Sequence, residues 1–392
     1  MRATFVVPRY GAQVIGGAET AARLLAEHLV DQKGWQVEVL TSCAEDFVTW
    51  DDVLPEGAES VNGVSVRRFA SLVGRDPSFH PYSASLLTDP GRASSEQSSR
   101  WVDLQGPVAP AVVQAAVDAV ADVVIFYPYL YYTTVRAIDA VAVPTILHPA
   151  AHDEPALRLP VFADVFGAAD GLVFQTTAER RLVQGMFDVA TRRQLLLGLG
   201  VDDPDERATT DRTSPLPVGD EPYLLCLGRV DHNKGSSLLA DLFVAHKARH
   251  PGPLRLVFAG PVVEAPAAHP QIDVLGPVSD DDKWALLGGA VALVSPSSLE
   301  AFSLVVAEAW SARTPVLVNA GCAATVEHCL RSGGGLPFAG FGEFECLVEL
   351  VEGDIAVRTA LGERGRAYVD RWFRWPRVID RYAAFIETVA GS

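Results

Sequence analysis

The sequence predicts an α/β chain of two domains, each built on a parallel sheet with crossover helices. Three observations carry this. At 392 residues the chain exceeds what one hydrophobic core usually organises. Short Val-, Ile- and Phe-rich runs alternate with segments of helical periodicity in both halves, which is the pattern of strands joined by crossover helices. A cluster of Pro, Asp, Thr and Gly between residues 198 and 222 interrupts that rhythm and marks a junction.

In chain order, ATFVVP, WQVEVLTS, DVVIFYP, PTILH and GLVFQT read as buried strands of a first domain over 1–200. After the junction YLLCLGR, LRLVFAG, IDVLG, VALVSP and TPVLVN read as strands of a second domain over 201–370. The segment 371–392 continues a helical stretch with aromatics at Trp372, Phe373, Trp375, Tyr382 and Phe385, expected to pack their face onto the body. Residues 73–106 are Ser- and Pro-rich and longer than an ordinary connection, which reads equally as a surface insertion or a lid over a binding site.

Composition narrows the function. Hydrophobic residues make up 49% and charged residues 21%, which suits a well-packed enzyme rather than a disordered chain. The net charge is -17, shared between the halves, so neither half offers nucleic acid or an anionic membrane a basic surface. Four lysines against 28 arginines, with abundant Ala and Val, suggest a high-GC bacterial gene. Five cysteines without CxxC spacing argue against a disulfide framework or a structural zinc site. The apolar start is short for a signal peptide and no run approaches about 18 apolar residues, so a reduced, cytoplasmic protein is expected.

Several residues carry chemistry. Gly16 and Gly17 lie between the first strand and a helix, where backbone N–H groups can approach an anion. A tight turn explains two glycines equally well. The absence of GxGxxG and of GxxxxGK[ST] leaves little support for dinucleotide binding or a P-loop. Arg229 and Lys234, in LGRVDHNKG, follow a strand and precede a helix; a planar fork and a compact ammonium suit the two phosphates of a diphosphate. In SPSSLEAFSLVVAEAW, Glu300 sits in a loop and Glu308 in the second turn of a helix capped by Ser303. The N–H groups of Phe302, Ser303, Leu304 and Val305 are available to an anion there, and carboxylates beside it point to a polyhydroxylated ligand. The run Asp280, Asp281, Asp282 reads as the first turn of a helix rather than as a metal site.

GRVDHNKG, EAFSLVVAE and TPVLVN together resemble the donor-binding domain of retaining glycosyltransferases of the GT-B fold, specifically glycosyltransferase family 4. GGAE after the first strand, LGLGVD at the junction and the HDE of TILHPAAHDEPAL extend the resemblance over nearly the whole chain. It implies two Rossmann-like domains with parallel sheets facing a central cleft and a C-terminal helix crossing back to the first domain. It further implies retaining transfer of a sugar from a nucleoside-diphosphate sugar to a hydroxyl acceptor, with no cofactor and no metal. The acceptor could be a glycan, a lipid-linked sugar or a small molecule. On this resemblance Arg229 and Lys234 bind the diphosphate, Glu308 the ribose, and Glu300 the hydroxyls of the transferred sugar. The backbone of 302–305 contacts sugar and phosphate, and Gly16 and Gly17 approach the diphosphate from the first domain. A first-domain histidine near the reacting centre is either His152, followed by Asp153 as in the family, or His148 at the strand end. The chain departs from the family after TPVLV, where NAGCAATVEH replaces a Gly-rich turn. The rival readings are a nucleotide-sugar epimerase or hydrolase on the same fold, and a non-catalytic nucleotide-sugar binding protein.

Overall fold

The computed structural model describes residues 1–14, 16–205, 218–219 and 221–391. The chain divides into two compact units: unit 1 is Met1–Gly198 with Pro376–Ser392, and unit 2 is Leu199–Trp375. Most of the Pro- and Thr-rich junction lies outside the described residues.

Unit 1 contains β1 (Arg2–Val6), β2 (Gln36–Ser42), β3 (Gly57–Val61), β4 (Val64–Phe69), β5 (Val123–Phe126), β6 (Thr145–Leu147), β7 (Gly171–Phe174) and β8 (Arg193–Leu196). They form one sheet in the order β3-β4-β2-β1-β5-β6-β7-β8, parallel throughout except for the β3–β4 hairpin. The middle strands are apolar along their whole length because helices cover both faces, so β5 and β7 show no in-out alternation. The helix Gly17–Lys33 buries Ala21, Ala22, Leu25, Ala26 and Leu29 along one stripe and stops at Gly34.

Unit 2 contains β9 (Tyr223–Leu227), β10 (Arg255–Ala259), β11 (Ile272–Val274), β12 (Ala292–Ser295), β13 (Val316–Asn319) and β14 (Gly335–Phe338). Their order, β11-β10-β9-β12-β13-β14, is all parallel and reverses direction between β9 and β12. This is the doubly wound arrangement whose crevice opens at the carboxyl ends of the two strands flanking the reversal.

Two expectations change. Residues 73–106, read as a surface insertion or a lid, are not a plain loop: they fold into the helices Phe79–Leu86 and Ser95–Gln105, the second with a complete Ser94–Gln97 capping box. Phe79, Trp101 and Val102 from these helices belong to the core of unit 1, which the polar average of the segment concealed. The C-terminal stretch is also two helices, Ile355–Trp372 and Trp375–Ala390, broken at Phe373 and Arg374 where Pro376 begins a new turn. Pro376–Ser392 groups with unit 1, and Tyr382 is fully buried there against His148.

Candidate active site

At the reversal point of unit 2, β9 ends at Leu227 and delivers Arg229, whose Nε pairs with the carboxylate of Asp231. The other oxygen of Asp231 accepts the backbone N–H of Lys234 at 2.7 Å, so one buried carboxylate shapes the loop carrying both cations. Gly235 then adopts φ +77 at the start of the helix Ser236–Arg249, and a Cβ there would stand 2.9 Å from the Pro296 carbonyl oxygen. Only glycine allows this approach. It sets the Lys234 loop against the loop after β12, where Lys234 Nζ donates to Glu300 Oε1 at 2.6 Å. Asn319 at the end of β13 adds a third tie, its amide donating to Pro296 O at 2.8 Å, so NAGC braces the site where the family has a Gly-rich turn.

The helix Leu304–Ser311 follows. Its cap differs from expectation: Ser303 is at the N-cap with φ +71, but its hydroxyl caps nothing and lies buried without a partner among the described residues. The N–H groups of Ser303, Leu304 and Val305 likewise find no acceptor among the described residues, and the first turn closes through Val306 N to Ser303 O. Phe302 is buried, packed edge-on against His328 and Phe373 at 4.9 and 5.1 Å, so its side chain anchors the loop. Glu308 is in the second turn, as expected. Burial pushes its carboxyl above the usual carboxylate range, and Lys283, 2.8 Å away, works against that rise. Burial alone would lower the Lys283 ammonium, yet Glu308 and Asp280 together hold it above its ordinary value.

Lys283 is a site residue that the motifs of the sequence do not mark. Its neighbours Asp280–Asp282 do open a helix, with Ser279 accepting the Asp282 N–H. The available signal was a scarce lysine one turn into that helix, where a buried glutamate elsewhere needed a counter-charge.

Unit 1 presents a different set at the carboxyl ends of β1, β2, β5 and β6. Gly16 and Gly17 differ: a Cβ on Gly16 would overlap the Glu19 carboxylate at 2.1 Å, whereas Gly17 faces open space. Glu19 is buried and paired with Arg9, which also donates to Glu45 O and lies over the rings of Phe47 and Trp50. Tyr131 meets Trp50 edge-on at 5.0 Å; burial, then Glu19, raises its hydroxyl pKa.

The two histidines separate cleanly. His148 is buried, stacked on Tyr127, bonded through Nε2 to Tyr382 at 2.7 Å, and pushed by burial down to about 3. It is a neutral core residue. His152 is half-exposed, with Nδ1 buried and 3.6 Å from Glu154 Oε1, the oxygen that also accepts the Tyr129 hydroxyl at 2.9 Å. Its loop is pinned by Glu179, a buried carboxylate accepting N–H bonds from Ala151 at 2.9 Å and Gln175 at 2.6 Å. Burial lifts Glu179 to about 7. The Thr176–Glu179 spacing was its sequence signal, since the Thr176 hydroxyl caps that helix.

Two doubly wound units of this topology are the GT-B fold, and the comparisons place the chain within it. A sucrose-phosphate synthase from Thermosynechococcus elongatus aligns over all of both chains with TM-score 0.71 at 19% identity. An α,α-trehalose 6-phosphate synthase from Burkholderia multivorans covers 100% of this chain and 99% of its own, with TM-score 0.72 at 14% identity. Anabaena HepE, solved in complex with UDP-glucose, covers 99% of this chain and all of its own, with TM-score 0.67 at 15% identity. Residues 208–330 match the family described as Glycosyl transferases group 1. A curated D-inositol 3-phosphate glycosyltransferase from Nocardioides sp. is 31% identical over 209 residues, 46% of this chain and 45% of that protein. The chain thus spans about half the length of the curated relative it matches. Among the described residues no helix is long and apolar enough to cross a membrane.

Proposed function

We propose that the protein is a retaining, metal-independent glycosyltransferase of family 4 that moves a sugar from a nucleoside-diphosphate sugar to a hydroxyl acceptor. The observation that carries this is the arrangement at the reversal point of unit 2. Lys234, Arg229 and the open N–H groups of 303–305 meet the carboxylate of Glu300 in one braced pair of loops, followed by the Glu308–Lys283 pair. Cations and helix N–H groups suit a diphosphate, while carboxylates among them suit hydroxyls. HepE, with UDP-glucose bound, supports that class of ligand.

In the reaction the bond between the anomeric carbon and the diphosphate oxygen breaks, and a bond from the acceptor oxygen forms on the same face of the ring. The acceptor's proton passes to the departing phosphate. Lys234, on releasing Glu300, and Arg229 neutralise the charge developing on the leaving group, an electrostatic contribution that is usually the largest in such sites. Glu300, once released, accepts hydroxyls of the sugar, and Glu308 accepts those of the ribose. Unit 1 supplies acceptor-binding residues, His152 among them, acting as a hydrogen-bonding group; its exposed edge and the Glu154 carboxylate behind it favour it over the core residue His148.

The test is a thermal-shift screen of UDP-, GDP- and ADP-sugars, beginning with UDP-glucose, followed by transfer assays with and without EDTA. A donor at roughly 100 times its dissociation constant should stabilise by about 2.7 kcal/mol. Product of retained anomeric configuration and unchanged turnover in EDTA support the reading. Free sugar formed equally with and without any acceptor would replace it with a hydrolase.

A further inference from the structure

The helix Ser236–Arg249 begins beside Lys234 and ends some 20 Å away at about 1.5 Å per residue, and there it carries a second constellation. His246 and His250, four residues apart, share one side of the chain. The helix Phe341–Gly353 brings Glu345 and Glu349, also four apart, against them. His250 Nε2 lies 3.1 Å from Glu345 Oε1, and His250 Nδ1 lies 2.8 Å from Glu349 Oε1. The ring of His246 stacks on that of His250 with centroids 4.9 Å apart. One ligand atom from each of His246, His250 and Glu345 lies within 4.8 Å of the other two. His246 is 1% exposed, and its Nδ1 has no hydrogen-bond partner among the described residues.

We propose that His246, His250 and Glu345 form a divalent metal site, with zinc as its ion, clamping these two helices of unit 2. Two imidazoles and one carboxylate match zinc and its transition-metal neighbours, whereas calcium and magnesium select oxygen ligands alone. Ligands about 2.0–2.1 Å from a tetrahedral zinc stand about 3.3 Å apart, close to the His250–Glu345 separation; His246, within 4.8 Å of both and stacked on His250, joins them by closing in and turning its ring out of the stack. Glu349 acts behind the metal: by accepting the proton of His250 Nδ1 it leaves the Nε2 lone pair facing Glu345, the carboxylate–histidine arrangement that orients metal-bound imidazoles. A bridge of protonated His250 between the two glutamates would explain those carboxylates without metal, but it leaves the buried nitrogen of His246 unaccounted for. Arg249, 3.1 Å from Glu345 Oε1 and over the ring of Phe341, is 63% exposed, so its exposed pair with Glu345 costs little to open. The site is independent of the transferase reading.

Protein stripped with EDTA and freed of chelator should bind one zinc per chain in equilibrium dialysis read by elemental analysis, with a raised thermal midpoint. His250→Ala and Glu345→Gln should abolish both effects, and Glu349→Ala should weaken binding about 10- to 100-fold. Lys234→Ala should bind zinc as wild type does, keeping this result separate from any failure of the donor site. No zinc bound by the wild type, or wild-type binding in both ligand variants, overturns the proposal. Should either variant fail to fold by circular dichroism, X-ray absorption of the zinc-loaded wild type decides: two imidazole nitrogens at about 2.0–2.1 Å uphold the site and their absence overturns it.

Discussion

In unit 2 the Lys234–Glu300 pair at the carboxyl edge of the sheet is one that a ligand can open: Lys234 is 38% exposed and Glu300 17%. In unit 1 the corresponding pair, Arg9 and Glu19, is 4% and 7% exposed, hedged by Phe47 and Trp50, and holds Gly16 against it. The same interaction type thus serves two purposes. An exposed pair costs little to break and is a reserve of charge for an incoming group. A buried one is costly to break and fixes the shape of the loop around it.

The largest effect should come from opening the exchangeable pair for good. Lys234→Ala and Arg229→Ala should each lower turnover about 100- to 1,000-fold, the loss seen when one donor to a developing charge is removed. Turnover within twofold of wild type in both would place the diphosphate elsewhere. Next, the histidines should divide unit 1 into its functional and structural parts. His152→Ala should lower transfer about 100-fold while donor affinity, measured by calorimetry, stays unchanged. His148→Ala should instead lower the thermal midpoint, because it leaves a void beside Tyr127 and Tyr382; transfer lost only in the His148 variant would reverse the assignment.

Lys283→Met tests whether Glu308 belongs with the exchangeable or the fixed pairs. It leaves a buried carboxylate without its counter-charge, and a stability loss of about 3 kcal/mol is expected at neutral pH. Because the folded-state pKa of Glu308 is already raised and rises further in this variant, the protonated form is the one the fold prefers. The deficit should therefore shrink as pH falls; a deficit equal at pH 5 and pH 8 would show that it does not arise from the Glu308 charge, and no deficit at either would show that the pair is structurally idle. The smallest effect concerns Glu179, at about 7. A carboxyl raised in the folded state contributes stability that is complete below its unfolded value of 4.5 and lost as pH rises towards 7. Denaturant titrations should show Glu179→Gln weaker than the wild type by about 1–3 kcal/mol at low pH from one lost acceptor, and that difference shrinking as pH rises over the window.

The sequence made unit 2 legible because its chemistry is consecutive. Arg229 and Lys234 are five residues apart, Glu300 and Glu308 eight, and each group lies just after a strand whose apolar run is unmistakable. Lys283 escaped because its partner is 25 residues away and its acidic neighbours explained themselves as a helix start. His246 and His250 escaped too, since nothing within the helix announces Glu345 across from it. In unit 1, residues 73–106 misled through averaging: the Ser and Pro content is real, but a few apolar residues at helical spacing decided the structure. The β3–β4 hairpin, β8 and β14 went unread because they are short or exposed on one side, where apolar runs are weak.

The assignment of Pro376–Ser392 to unit 1 orders events at the ribosome. By the time these residues emerge, unit 2 has been synthesised in full, so unit 1 waits in an unfinished state throughout that synthesis. Until then the ring of His148 lacks the Tyr382 hydroxyl, and Gly171 in β7 lacks the cover of Phe385 and Val389. A nascent chain released early, or a fragment ending near Gly198, carries an open seam along the first sheet. Folding of unit 1 is thereby conditional on the helix Trp375–Ala390, made after the whole of unit 2.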